Sequence, residues 1–319
     1  MALRRTPSQN ILIFVAVMLL LLFCLFPFVQ ILSTSLKHQA DWGNPSLIPA
    51  QLNFEAYKEL LGFSQQEVEL PETIRMMLES PAISEEQRAA IIKKFTSTSD
   101  IFPFGRYMLN TFVISMVTAF LSTLIATFAA YALSRLKFRG RNAFSNTVMF
   151  VYMVGGVLLM VPLYQMAVST GLASTVPGTL ICLLLIYLVQ TLPVAIYMLG
   201  NYFRTIPFSL EEAAMIDGYS RTSAIFAVII PLSRPMLLTV MFYCFVIAWN
   251  EYLFASVFLK QYQDFHTLPL ALQTLFSSKN AIWDRIMAAS MLTLIPVVIA
   301  FSVANRFISS GGTAGGVKE

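Results

Sequence analysis

The sequence predicts an all-α integral membrane protein with six spanning helices, and three observations carry that prediction. Of the 319 residues, 57% are hydrophobic and only 12% charged, about half the ~25% charge of a typical soluble domain. Mean hydropathy is correspondingly high, at +0.69. Six apolar stretches reach the ~20 residues that a helix needs to cross a bilayer core: 11–33, 109–133, 144–166, 178–200, 236–258 and 286–305. Glu251 is the one charged residue within them. This composition excludes a disordered chain, a disulfide-rich secreted module and a soluble enzyme.

The first stretch follows Arg4 and Arg5, as in a signal peptide. Its apolar run is longer than the 7–15 residues of a signal h-region, and no small-residue cleavage site follows, so it is expected to be retained as the first span. The positive-inside rule then sets the orientation. With both termini in the cytoplasm, the inner segments hold Arg4, Arg5, Arg135, Lys137, Arg139, Arg141, Arg204, Arg221, Arg306 and Lys318, with Arg234 at the mouth of the fifth span. The short outer loops hold only Lys260, Lys279 and Arg285. The expected location is a bacterial inner membrane. Cytoplasmic segments then cover 1–10, 201–235 and 306–319, and periplasmic loops cover 34–108 and 259–285.

Net charge is +4, yet the 21 Lys and Arg residues are thinly spread, and no run of five like charges suggests nucleic acid. Cys24, Cys182 and Cys244 lie in apolar runs without CxxC spacing and read as inert thiols. His38 and His266 stand isolated in polar loops. No metal site and no catalytic constellation is expected. The long outer segment carries Ser84-Glu85-Glu86-Gln87, a capping-box pattern, followed by Ala89, Ala90, Ile91, Ile92 and Phe95 in helical register. It reads either as a tether or as a docking surface on that side.

The stretch 205–219 is the most informative. Ser209 and Glu212 have the S-x-x-E spacing of a capping box, and Glu211 and Glu212 fall in the first turn, where the helix dipole favours anions. A helix from Leu210 to Asp217 is predicted, stopped by Gly218 in the left-handed conformation. A second helical run, Thr222 to Ile230, is expected to end at Pro231. Two turns of helix cannot hold themselves in water. The helix must be held by packing, either as a knob in another protein, with Leu210, Ala213, Ala214 and Met215 as its apolar face, or as an interfacial helix on the membrane.

Here a resemblance becomes specific. Glu212-Ala213-Ala214, then Gly218, then Val228-Ile229-Ile230-Pro231 resembles the EAA loop of bacterial ABC importer permeases, with Val228 and Ile230 as conservative departures. The resemblance implies the type I permease fold and a coupling helix seated in a cleft of an ATPase dimer. Glu212, Ala213, Ala214, Asp217, Gly218 and Pro231 would carry that coupling. The chain has no G-x-x-x-x-G-K-[ST] loop. ATP and Mg are therefore expected on the partner ATPase, with no cofactor and no enzymatic step in this chain.

The segment Ala248 to Phe254 is similar to one in carbohydrate importer permeases. The tail from Gly311 to Lys318 resembles the ending of the second membrane subunit of maltose-type importers, and Thr267 to Thr274 resembles its last outer loop. In that family the tail enters the ATPase interface, which would engage Thr313, Ala314, Gly315, Gly316, Val317 and Lys318. The outer loop would bring Gln273 and Thr274 toward a periplasmic sugar-binding protein. A second, homologous permease subunit and the lipid bilayer complete the implied partners. The stretch 65–100 matches nothing in the family.

Glu251 is costly inside a membrane. With Asn250 it can line a polar path, bond another helix or join two permease subunits. Pro27, Pro162, Pro193, Pro296 and Gly155-Gly156 are expected to break or kink spans. The competing reading is an ion-gradient-driven secondary carrier or channel. Six spans without an internal repeat, and one intramembrane carboxylate, fit that reading poorly.

Overall fold

The computed structural model describes residues 7–38, 41–63, 84, 85, 88, 102–153, 156–276 and 283–312. Long apolar runs satisfy their backbone groups internally, and every regular element among these residues is helical. In chain order they are α1 (Pro7–Ser35), α2 (Glu55–Leu60), α3 (Phe104–Arg135), α4 (Arg141–Met153), α5 (Met160–Ser169), α6 (Val176–Thr205), α7 (Ser209–Ile216), α8 (Arg221–Leu232), α9 (Arg234–Trp249), α10 (Leu253–Phe258), α11 (Leu268–Phe276) and α12 (Trp283–Gly312). The Ser84 capping pattern and the helix predicted after it lie largely outside the described residues.

Among the described residues, four helices, α1, α3, α6 and α12, are long and apolar enough to cross a membrane, and two bent pairs raise the number to six if each pair is one span. Two of the predicted stretches are not single helices. The third consists of α4, ending at Met153, and a 3-10 turn at Gly156–Leu159 that leads into α5, at the glycine pair where a break or kink is expected. The fifth stops at Trp249 and restarts at Leu253. Before it, α8 and α9 meet at 80°. Of the expected breaks or kinks, no break occurs at Pro27, Pro193 or Pro296, where α1, α6 and α12 continue as helix. Pro162 sits in the first turn of α5, where a missing amide hydrogen leaves no helical bond unmade.

The chain divides into two compact units: residues 1–105 with 271–294, and residues 106–270 with 295–319. In the first, the Ser35 hydroxyl meets that of Tyr57 at 2.7 Å, and the Lys37 ammonium donates to the Asn44 carbonyl at 2.6 Å. A buried ion pair links α2 to α12. Arg285 Nε lies 2.6 Å from Glu59 Oε2, and its Nη2 donates to Oε1 at 2.9 Å. Their side chains are only 15% and 3% exposed. Burial pushes the Glu59 carboxyl above its ordinary value, and the Arg285 guanidinium opposes that shift.

In the second unit, α3, α6, α8 and α9 share a core. Ala119, Ala126 and Ala130 of α3 and Ala195 of α6 are fully or almost fully buried with Leu199, Phe203, Ile229 and Val240. Such small side chains let helix backbones approach closely. The Ser122 and Thr191 hydroxyls meet at 2.6 Å across α3 and α6, so each has a polar partner where water is excluded. His266, expected in an exposed loop, is instead buried, and its ring stacks on Tyr107 with centroids 6.1 Å apart.

Arg285→Leu is expected to lower the stability of the first unit by about 3 kcal/mol at pH 7, because it leaves Glu59 charged and unpaired. A carboxyl with a raised folded pKa gives its full contribution below its unfolded value and loses it as pH rises through the folded value. The defect should therefore shrink on acidification toward the ordinary carboxylate range. Thermal unfolding in detergent over a pH series measures it, and Arg285→Leu/Glu59→Leu should recover most of the loss.

Candidate coupling site

The residues singled out between the fourth and fifth stretches sit where α3, α6, α7 and α8 converge. Helix α6 ends because Ile206 turns extended, with φ −75° and ψ 126°, as a residue before proline prefers. Pro207 and Phe208 then lead into α7. Phe208 is already helical, at φ −64° and ψ −29°, and no side chain caps the helix. The predicted capping box of Ser209 and Glu212 is thus not formed. The Phe208 carbonyl takes the amides of both Glu211 and Glu212, which places Ser209 inside the first turn rather than ahead of it.

The acidic residue turned inward is Glu211, which the sequence reading left to the dipole. Its side chain is 3% exposed and forms an ion pair with Arg135 Nε at 3.0 Å. The Tyr131 hydroxyl donates to its other oxygen at 3.0 Å. Arg135 Nη2 donates to the carbonyls of Phe203 and Ile206, each at 2.6 Å, which satisfies acceptors at the open end of α6. The guanidinium also lies 5.8 Å from the Phe208 ring centroid. One arginine therefore joins the last turn of α3, the last turn of α6 and α7.

Pointing inward beside Glu211 is Ala214, which is buried. Of the predicted apolar face, Leu210 and Ala213 are exposed, Met215 is half-buried, and Ile216 adds a side chain that is 86% exposed. Glu212 and Asp217 are also exposed. The outward stripe is thus Leu210, Ala213 and Ile216, edged by two carboxylates. Helix α7 ends in a Schellman turn: the Gly218 amide bonds the Met215 carbonyl, and the Tyr219 amide bonds the Ala214 carbonyl. Gly218 has φ 94°.

Helix α8 starts where Ser220 Oγ accepts the Ser223 amide at 3.1 Å, and it does not end at Pro231. A π turn spans Ile225–Ile229, and the helix continues to Leu232. Proline has no amide hydrogen to give the carbonyl four residues back and crowds it. The wider turn just before Pro231 takes up that mismatch. Ala224 is buried, and Ile225 and Ile229 lie in the shared core, so α8 is anchored by its apolar face.

Glu251 occupies the break between α9 and α10. Its carboxylate accepts the amides of Phe254 at 2.8 Å and Ala255 at 3.1 Å, and the Tyr187 hydroxyl at 2.7 Å. Asn250 Nδ2 donates to the Val246 carbonyl at 2.8 Å. Both are therefore engaged in ending one helix and starting the next, which is a structural use of a charge inside an apolar stretch. Gln273 and Thr274, predicted at a loop tip, lie within α11. Residues 313–318 are outside the described residues, while Gly311 and Gly312, predicted as extended tail, continue α12. Among the described residues, no group of three or more His, Cys, Asp or Glu could hold a metal ion.

A family model described as "Binding-protein-dependent transport system inner membrane component" matches residues 122–311. The inner membrane ABC transporter permease protein YcjP of Escherichia coli strain K12 is 39% identical over 302 residues, covering 94% of this chain and 93% of the relative. The trehalose/maltose transport system permease protein MalG of Thermococcus litoralis is 27% identical over 316 residues, or 99% of each chain. Among solved structures, a bacterial ABC transporter involved in import of the acidic polysaccharide alginate matches with a TM-score of 0.68 at 24% identity. That match covers 95% of this chain and 98% of the other, and it is a likeness of fold.

Glu211→Ala is expected to leave the Arg135 charge buried and unpaired, at about 3 kcal/mol. Amide exchange across 209–217 should then speed up on the order of 100-fold, whereas Glu212→Ala should leave it nearly unchanged. Gly218→Ala meets no atom within 4 Å at the added Cβ, so its cost is backbone strain of about 1 kcal/mol. It should show as faster exchange confined to the end of α7.

Proposed function

Because the chain belongs to the family of binding-protein-dependent transport system inner membrane components, we propose that it is a transmembrane subunit of an ATP-driven sugar importer. The trehalose/maltose permease among its relatives supports sugar as the substrate class. A binding protein delivers the sugar to the outer face, with Gln273 and Thr274 on the side it approaches. A second permease subunit forms the pathway with this chain. Six spans cross the inner membrane, and both termini are cytoplasmic.

ATP and Mg are held by an ATPase dimer, and the chain itself breaks no bond. Its task is mechanical. Glu212, Ala213, Asp217 and the exposed Leu210 and Ile216 seat α7 in the ATPase, while Ala214, Gly218 and Pro231 shape the helices behind it. The small tail residues 313–318 reach the ATPase interface. ATP-driven closure displaces α7, the Arg135–Glu211 pair carries that displacement to α3 and α6, and the sugar path opens alternately to either side.

The observation that carries this reading is a two-turn helix clamped from inside by a buried ion pair while its other face, with Ala213 at its centre, is left open. The test is a complex purified in mild detergent from the native cell and reconstituted in liposomes. A P-loop ATPase and a second permease should co-purify, and sugar uptake should require ATP. Ala213→Glu should weaken ATPase association by about tenfold or more without altering exchange protection of α3 and α6. Uptake by this chain alone, without ATP, would overturn the proposal in favour of an ion-driven carrier.

A further inference from the structure

Arg135, Lys137, Arg139 and Arg141 read in the sequence as one basic cluster, but the structure divides it. Arg135 is consumed internally by Glu211 and two carbonyls. Arg141 reaches only the Leu136 carbonyl, at 3.4 Å. Among the described residues, no carboxylate pairs with Lys137, Arg139 or Arg141. These three cations line a concavity of about 530 Å³ with Phe138, Gly140, Asn142 and Ala143. Gly140, at φ 87°, makes the turn that curls the cations around it.

Two aromatic rings stand beside the charges, Phe138 at 47% and Phe144 at 55% exposure. The turn joins α3, an apolar helix of spanning length, to α4, the start of a bent apolar pair. It therefore lies at the edge of the hydrocarbon layer, where rings enter the lipid and cations stay at headgroup level. Three neighbouring cations without a counter-charge repel one another. A phosphate removes that repulsion and is recognised by guanidinium groups in particular.

We propose that this concavity binds the phosphate of an anionic phospholipid, with Lys137, Arg139 and Arg141 around the headgroup and Phe138 and Phe144 among the acyl chains. The bound lipid steadies the turn directly after the Arg135 clamp. The proposal depends on the orientation given above only in assigning the lipid to the cytoplasmic leaflet.

The test uses the full chain with its co-purified partners, delipidated, then titrated with phosphatidylglycerol or phosphatidylcholine and read by native mass spectrometry. Wild type should retain phosphatidylglycerol over phosphatidylcholine by about tenfold or more. Lys137→Gln/Arg139→Gln/Arg141→Gln should abolish the preference, and the charge-matched Arg204→Gln/Arg221→Gln/Arg234→Gln should keep it. Phe138→Ser, which leaves every charge in place, should weaken retention by a smaller factor and guards against misfolding of the triple variant. Equal losses in both triple variants, or no preference in wild type, would overturn the site. Displacement of the lipid by millimolar inorganic phosphate would reassign it to free phosphate. Loss of a co-purified protein from the first triple variant with lipid retention unchanged would reassign the turn to a protein partner. Absence of an ATPase from the same spectra would count against the importer reading while leaving the lipid result intact.

Discussion

Arg135 is the residue on which the joined ends of α3, α6 and α7 depend. A guanidinium with five donors in a fixed fork sits 8% exposed where three helix ends meet. One side satisfies the last carbonyls of α6, and another neutralises Glu211 of α7. Neither charge is tolerable there without the other. The pair therefore contributes position more than net stability: α7 is held in one place against the ends of α3 and α6.

The same economy of polar groups recurs wherever the helices break. At the gap between α9 and α10, the Glu251 carboxylate supplies acceptors for two orphan amides of α10 and for the Tyr187 hydroxyl. Before Pro231 a π turn absorbs the missing donor, and at Gly218 a positive φ closes α7. Inside an apolar stretch a bilayer offers backbone groups no water, so the break at Glu251 survives because that carboxylate completes the hydrogen bonds of α10.

Burial also distinguishes residues that look equivalent in sequence. Glu211 and Glu212 are adjacent and both acidic, yet one lies within the protein and the other faces out. Ala213 and Ala214 divide in the same way. A helix rotates about 100° per residue, so neighbours on a two-turn helix fall on different faces. The same holds for the basic run after α3, where one cation is spent inside and three remain outside.

The apolar runs alone announced a helical membrane protein, because a run of ~20 residues without charge has no other stable fate in a chain of this composition. The family pattern around Glu212, Ala213, Ala214 and Gly218 was equally legible, since it is written in local spacing, and the left-handed turn at Gly218 follows from the one residue type that adopts it freely. What sequence could not supply was partnership across distance. The Arg135–Glu211 pair spans 76 positions and Glu59–Arg285 spans 226, and no local pattern encodes which of several charges will meet. The break at Asn250 was hidden for the same reason, because hydropathy averages over a window and is blind to one side chain turning back on the backbone. Composition and period determined the elements. Only the packing of helix ends decided which polar groups were buried, and therefore which were left to act.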